Sequence, residues 1–312
     1  MDYIEAETLA PLSRPLRDFV LEATVLAELS ADVAAQVTGR DDAGDLLEEV
    51  LTSGLFLERL PGEDGTPRYR WHRLFAQACQ GVLARIEPER KSRLHRRAGD
   101  VLRHSSPADA VRHHVAAGEP RRALDVLSRI WPALVVRGDA PTVKHLIALL
   151  PADVQDEPVV LLIDACTSRL LGDTSGAQRL RSQAKGVLGA ARRRSSDAER
   201  AASVVADLVV EDDPDGLLTV CDAAAEFLDG DVSLRAFDPP ARHAVVFMLG
   251  WTELRVRRRP RRARAALITA AGAAQSTGDR GLVFLSRAAL GLAAAFAGEF
   301  IEAEEHLRAL EG

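Results

Sequence analysis

At 312 residues, with a formal charge of −6 and 47% hydrophobic residues, the chain can bury two or more cores but lacks the positive charge that would coat nucleic acid or an anionic membrane. Aromatics are only 4%; the apolar residues are mostly Ala, Leu and Val, a mixture that favours close-packed helices over a β-sandwich. Cys79, Cys166 and Cys221 fall in no C-x-x-C pair, which excludes a disulfide framework or zinc module and predicts small core thiols in a reducing compartment.

The first ten residues, "MDYIEAETLA", are acidic and have no apolar segment of the secretory kind. No apolar run is expected to approach the roughly 18–20 residues of a membrane span, so the expected location is the cytoplasm. Residues 15–37 carry Leu16, Phe19, Val20, Leu26 and Leu29 at mixed helical spacings. Ser30 reads as an N-cap and Gly39 as a helix stop. "DDAGDLLEEVLTSGLF" predicts a further helix ending near Gly54, with acids in its first turn. "LFLERL", the turn "PGEDGTP" and "RYRWH" predict a β-hairpin, and "RLFAQACQGVLARI" a helix directly after it. Helices, a hairpin and another helix make residues 1–87 a small winged-helix-like module.

Over residues 88–312 no strand is expected. A turn recurs instead, in "AAGEPRRALDVL" (116–127), "VRGDAPTVKHLI" (136–147), "LLGDTSGAQRLR" (170–181) and "FAGEFIEAEEHL" (296–307), with a degenerate copy in "VRRRPRRARAAL" (256–267). Each copy closes one helix at Gly plus an acid and opens another. The predicted turns lie near Gly118, Gly138, Gly172, Arg258 and Gly298, with a weaker one at "EDDPDG" (211–216). Their spacing approximates the roughly 34–45-residue period of tetratricopeptide-like helical hairpins. The expected fold is mainly α, a winged-helix-like module followed by a tetratricopeptide-like α-solenoid. The array reads as incomplete, since it stops at "RALEG" without a polar capping helix. Charge runs such as "ARRRSSDAER" read as loops between hairpins.

The order of "YRWHRLF" (Tyr69, Trp71, His72, Leu74, Phe75), "LHRRAGDVL" (Leu94, His95, Ala98), "ADAVRHHVAAGEPRRALDVL" (Ala110, His114, Ala117, Gly118) and "LIALLP" resembles the MalT-type, large ATP-binding regulators of the LuxR group. These belong to the signal-transduction ATPases with numerous domains. The resemblance is specific over about residues 10–150 and generic beyond. It implies a bacterial regulator fragment covering the winged helix and the start of a helical-repeat sensor. The family's G-x-x-x-x-G-K-[ST] loop is absent and no Gly-Lys pair occurs in the chain. ATP or ADP is therefore expected only in a full-length parent, and the DNA-binding helix-turn-helix is also unrecognisable. The implied partners are an unknown small-molecule inducer or a regulatory protein. No direct DNA or membrane binding by this chain is expected, and self-association is an expectation for the parent.

For His72 the resemblance implies nucleotide-state sensing in the parent, an imidazole at a strand-to-helix junction facing the β-phosphate of ADP. The residues alone leave open a plain imidazole hydrogen-bonded inside the module. In the family Asp often follows this histidine; here Arg73 does. His113 and His114 are adjacent, so on a helix they point about 100° apart and suit packing better than one metal. His95 and His104 have no carboxylate or thiol at ligand spacing, and no catalytic constellation emerges; the chain is not expected to be an enzyme. "RVRRRPRRAR" (255–264) lacks interleaved aromatics and reads as a solvated turn rather than a nucleic-acid site. Trp251 and Arg255, at i and i+4, share a helix face and are candidates for a ligand or partner groove, or for packing between hairpins. Two functional classes stand: a sensor and interaction fragment of a MalT-like regulator, and a free-standing tetratricopeptide-like adaptor for proteins.

Overall fold

The computed structural model describes residues 4–62, 65–190 and 194–310, with only the backbone of residues 4–6. It divides into two compact units, Met1–Ala123 and Leu124–Gly312. The division falls inside one continuous helix, α7 (Pro120–Val136).

In the first unit a π-helical turn, Ile4–Leu9, precedes α1 (Arg14–Ala23), whose N-cap Ser13 accepts a hydrogen bond from the Leu16 amide. A two-residue strand, β1 (Glu28–Leu29), then interrupts what periodicity alone reads as helical. Ser30 caps α2 (Ala31–Thr38) by accepting from the Val33 amide, and Gly39 ends it at φ 74°. After α3 (Ala43–Thr52) come β2 (Leu57–Leu60) and β3 (Arg68–Trp71), the predicted antiparallel hairpin. The unforeseen β1 pairs with the other edge of β3, so the sheet order is β1-β3-β2. Period-2 alternation buries Tyr69 and Trp71 while Arg68 and Arg70 face water. These rings join Phe19, Val20, Leu47 and, from α4 (Arg73–Ile86), Phe75 and Cys79 in one core. Next come α5 (Pro88–Leu102) and α6 (Pro107–Ala116), which pack on each other as a hairpin. By packing they group with the winged helix.

The described residues of the second unit form helices: α8 (Ala140–Ala148), a short α9 (Ala152–Gln155), α10 (Pro158–Leu170), α11 (Thr174–Ala190), α12 (Asp197–Val210), α13 (Pro214–Asp229), a short α14 (Asp231–Ala236), α15 (Pro239–Val256), α16 (Pro260–Ser276), α17 (Arg280–Ala297) and α18 (Phe300–Arg308). Among the described residues no strand follows Trp71. Each hairpin packs its two helices together, α10 with α11, α15 with α16 and α17 with α18, and stacks on its neighbours. Ala177, Ala263 and Ala303, small residues just inside the second helices, are buried against the first. The fold is mainly α, a winged helix followed by a helical-hairpin solenoid.

The Gly-acid turn does two things. Gly138, Gly172, Gly278 and Gly298 take φ between 72° and 93°. The next amide then reaches back five residues to a carbonyl of the finished helix, at 2.9 Å each for Asp139, Asp173, Asp279 and Glu299. The acid itself starts the next helix: Asp173 Oδ1 accepts from the Gly176 amide and Asp279 Oδ1 from the Leu282 amide. Proline at the first helical position, as in Pro158, Pro214, Pro239 and Pro260, fixes φ where no amide partner is needed.

Three expectations need correction. The turn placed at Arg258 has its left-handed residue one position earlier, at Arg257 with φ 58°. Of the charge run "ARRRSSDAER", residues 191–193 lie outside the described residues, and Asp197 onward is not loop. It is the first turn of α12, held by a reciprocal capping box between Ser196 and Glu199. And α17, 18 residues at mean hydropathy 1.4, is long and apolar enough by length and composition to cross a membrane. Here it packs between α16 and α18.

Candidate functional site

The strand-to-helix junction of the first unit carries the first candidate. His72 occupies the N-cap position of α4, with φ −60° and ψ 127°, but its side chain makes no capping hydrogen bond. The imidazole is exposed, so it is not packed inside the module, the plainer of the two readings of the sequence. Its backbone amide donates to the Phe56 carbonyl at 2.8 Å. Phe56 holds φ 39°, an unusual value for a side chain of that size. Its ring stacks on buried Phe75 at 5.1 Å and leans towards His72 at 6.2 Å, yet stays 52% exposed. Leu74, next to buried Phe75 on the same helix, points outward at 66% exposure. The result is an exposed imidazole beside the Phe56 ring, with Arg73 and Leu74 also exposed, at the amide end of α4, where no acid stands in the first turn. Such a surface suits an anion presented by another molecule or domain.

The second candidate lies wholly in the second unit. Trp251 and Arg255 line one open cleft of about 310 Å³ together with Leu254, Arg257, Leu292 and Phe296. The two sequence candidates are therefore brought together, and α17 supplies the opposite wall. Trp251 is half-exposed there at 38%, not sealed between hairpins. The Arg257 guanidinium sits 3.9 Å over the Phe296 ring.

Four of the five other arginines of the run are neutralised, and Arg261 is exposed with no acid partner among the described residues. Arg258 donates to Asp215 at 2.7 Å, and Arg259 holds Asp222 through two bonds of 2.5 and 3.0 Å. Arg262 also donates to Asp222 and faces buried Glu253 at 3.2 Å. Arg264 reaches Glu299 at 2.8 Å and Glu302. Arg259, then Arg262, hold the Asp222 carboxyl down to about 2. Burial pushes the Glu253 carboxyl up, against the pull of Arg262. The run is a turn stapled by acids from neighbouring helices.

Spacing gave no hint of the histidine cluster between α5 and α6. His95 Nδ1 and His113 Nδ1 approach to 2.9 Å, so one ring donates to the other. Burial is the first cause that drives His95 down to about 3 and His113 to about 4; each then faces a neighbouring positive charge. His114 is buried over Gly99, with Asp100 at 3.8 Å and Glu119 at 3.7 Å. Among the described residues no three His, Cys, Asp or Glu side chains gather as metal ligands. Cys79, Cys166 and Cys221 are free and buried, and burial raises all three thiols, Cys79 and Cys221 to about 12.

Residues 5–91 match the MalT winged helix domain. Over those residues the chain is similar to a MalT winged helix. The HTH-type transcriptional regulator MalT of Klebsiella pneumoniae is 28% identical over 170 residues, 53% of this chain and 18% of that protein. MalT of Yersinia pestis is 30% identical over 168 residues, 52% of this chain and 18% of its own length. The serine/threonine-protein kinase PknK of Mycobacterium tuberculosis is 30% identical over 154 residues, 49% of this chain and 14% of that protein. The chain thus spans less than a fifth of the length of these curated relatives. A solved signal-transduction ATPase with a tetratricopeptide repeat sensor, PH0952 from Pyrococcus horikoshii, aligns with a TM-score of 0.49 at 14% identity. That alignment covers 96% of this chain and 50% of the other.

On this winged-helix-like module, Phe56 and Leu74 are the surface residues that sequence reading missed. Phe56 escaped because its exposure follows from the left-handed backbone after Gly54 (φ 68°). Leu74 escaped because one residue of helical phase separates the core face from the solvent face.

Proposed function

We propose that this chain is the winged-helix and sensor part of a MalT-like transcription regulator of the LuxR group, working in the bacterial cytoplasm. An inducer or regulatory protein binds along the helical hairpins and shifts a closed-to-open equilibrium in an ATPase domain that this chain does not contain. The chain itself is not an enzyme in this reading. Its proposed partners are the inducer or regulatory protein and neighbouring domains of its parent, rather than DNA. Support comes chiefly from one observation: a segment similar to the MalT winged helix, with His72 exposed beside Phe56, stands in one chain with the hairpin array. No Gly-Lys pair is present to form a phosphate-binding loop, so a nucleotide would be held elsewhere and only contacted by His72. When bound, it would supply the anion to which an imidazole N–H donates; the Phe56 ring beside it would exclude water from one side of that bond.

The test uses His72→Ala in the longer protein and in this chain. An exposed side chain without partners should change stability by no more than about 0.5 kcal/mol. Loss of a hydrogen bond to a charged phosphate, about 1.5–3 kcal/mol, should weaken ADP about tenfold or more and favour the active state. Unchanged ADP affinity would remove His72 from the mechanism.

A further inference from the structure

We propose that the cleft between α15 and α17 binds a small apolar monoanion, a ring or short hydrocarbon bearing one carboxylate. This names the ligand class for the sensor reading above and rests on it for biological meaning.

The cleft has an apolar floor and a cationic lip. Trp251, Leu254, Leu292 and Phe296 supply the floor, Arg255 and Arg257 the lip, and among the described residues no carboxylate lines it. The neighbouring arginines 258, 259, 262 and 264 are each held by acids. Arg255 makes no hydrogen bond or ion pair among the described residues, and Arg257 rests on a ring face rather than on an acid. Apart from Arg261, which is exposed and does not line the cleft, the unmatched positive charge of the run stands here.

The backbone carries an independent sign. Among the described residues of this unit every other left-handed residue ending a helix is glycine, at 138, 172, 278 and 298; at the end of α15 it is Arg257. A side chain with a Cβ is disfavoured in that conformation, and glycine would be adopted at no steric cost. What arginine adds there is a guanidinium fixed at the mouth of the cleft. Strain retained at one turn out of five, beside a cavity, is the pattern of a functional position.

Size and field narrow the occupant. About 310 Å³ lies at the lower end of the roughly 300–1,000 Å³ of small-molecule sites, too small for a docked helix. The cleft is lined from the C-terminal halves of α15 and α17, whose carbonyl ends favour cations. A ligand carboxylate there depends on the two guanidiniums. A planar carboxylate matches the fork of Arg255, while an aromatic or aliphatic body covers Trp251 and Leu292.

Calorimetric titration of the full chain with 2-naphthoate and with neutral 2-naphthamide tests this. Naphthoate should saturate a single site, and naphthamide should bind at least about tenfold more weakly. Arg255→Ala should weaken naphthoate about tenfold and leave naphthamide unchanged. Arg257→Gly is the discriminating variant: its melting temperature should rise, because glycine suits the turn, while naphthoate affinity falls. A purely structural Arg257 would give the opposite, a lower melting temperature with intact binding. Equal binding of the two probes, no saturable heat with naphthoate, or unchanged naphthoate affinity in Arg257→Gly overturns the proposal. Naphthoate binding as described, in a longer protein whose ATPase ignores the cleft, keeps the site and sinks the sensor reading. Inducer control that survives Arg257→Gly together with absent naphthoate binding sinks the site and keeps the reading.

Discussion

Replacing Gly99 by Ala should oppose a general rule of helix stability. In an open helix interior, Gly→Ala gains about 0.8–1 kcal/mol from backbone entropy alone. Gly81 in α4 offers that case, because a Cβ built there meets nothing within 4 Å. Gly99 in α5 is different: a Cβ would lie 2.7, 2.8 and 2.9 Å from three ring atoms of His114. Carbon contacts relax only near 3.5–4 Å, so the imidazole must retreat by most of an ångström. It is 2% exposed and bounded by Asp100 and Glu119. Overpacking of this kind costs about 1–3 kcal/mol. Set against the propensity gain, Gly99→Ala should range from neutral to about 2 kcal/mol destabilising, while Gly81→Ala stabilises by up to about 1. Urea unfolding of both variants, with hydrogen exchange of α5 and α6 amides to confine the reading to the first unit, measures the difference. Adding His114→Ala should return part of the loss at Gly99, because the clash goes with the ring. If Gly99→Ala stabilises as much as Gly81→Ala, the close seat of His114 against α5 is refuted.

Acid should loosen the same hairpin. The unfolded chain protonates His95 and His113 near pH 6.5, the folded one only near 3 and 4. Below about pH 6.5 the unfolded state therefore binds more protons. Stability falls by up to about 1.4 kcal/mol per pH unit for each ring, until the folded values are reached. Imidazole NMR titrations should show both rings neutral at pH 5, and a His95→Gln, His113→Gln pair should flatten the stability profile between pH 6.5 and 4. Arg262→Ala should destabilise the second unit by about 3 kcal/mol, since it leaves buried Glu253 without its nearest cation; Glu253→Gln in the same chain should recover part of that in thermal melts. The purified chain should bind no ATP at micromolar concentration by calorimetry, because no lysine-bearing loop of amides is available to its phosphates.

Much of the architecture was legible because its causes are local. Ser30, Gly39 and the Gly-acid turns act within five residues of themselves, through caps and left-handed φ, so reading them in order gives the helices and their ends. Tyr69 and Trp71 alternate because a strand alternates, whatever lies opposite. The winged helix, the hairpin array and the conjunction of Trp251 with Arg255 on one face all follow from such short-range periodicities. What the sequence could not decide depends on groups that meet from far along the chain. Glu28–Leu29 is too short to announce itself as a strand and exists because β3 offers a free edge. His95 and His113 are 18 residues apart and touch only because α5 and α6 pack antiparallel at that register. Seven arginines between 255 and 264 look alike in sequence; the acids of α13 and α18 decide which are matched. Leu292 and Phe296 complete the cleft across from Trp251 because hairpin stacking sets α17 beside α15. Local conformational preference acts on a few neighbouring dihedrals and can be read along the chain. Charge neutralisation, burial and cavity shape are sums over every segment that arrives at one place, and only the packed fold performs that sum.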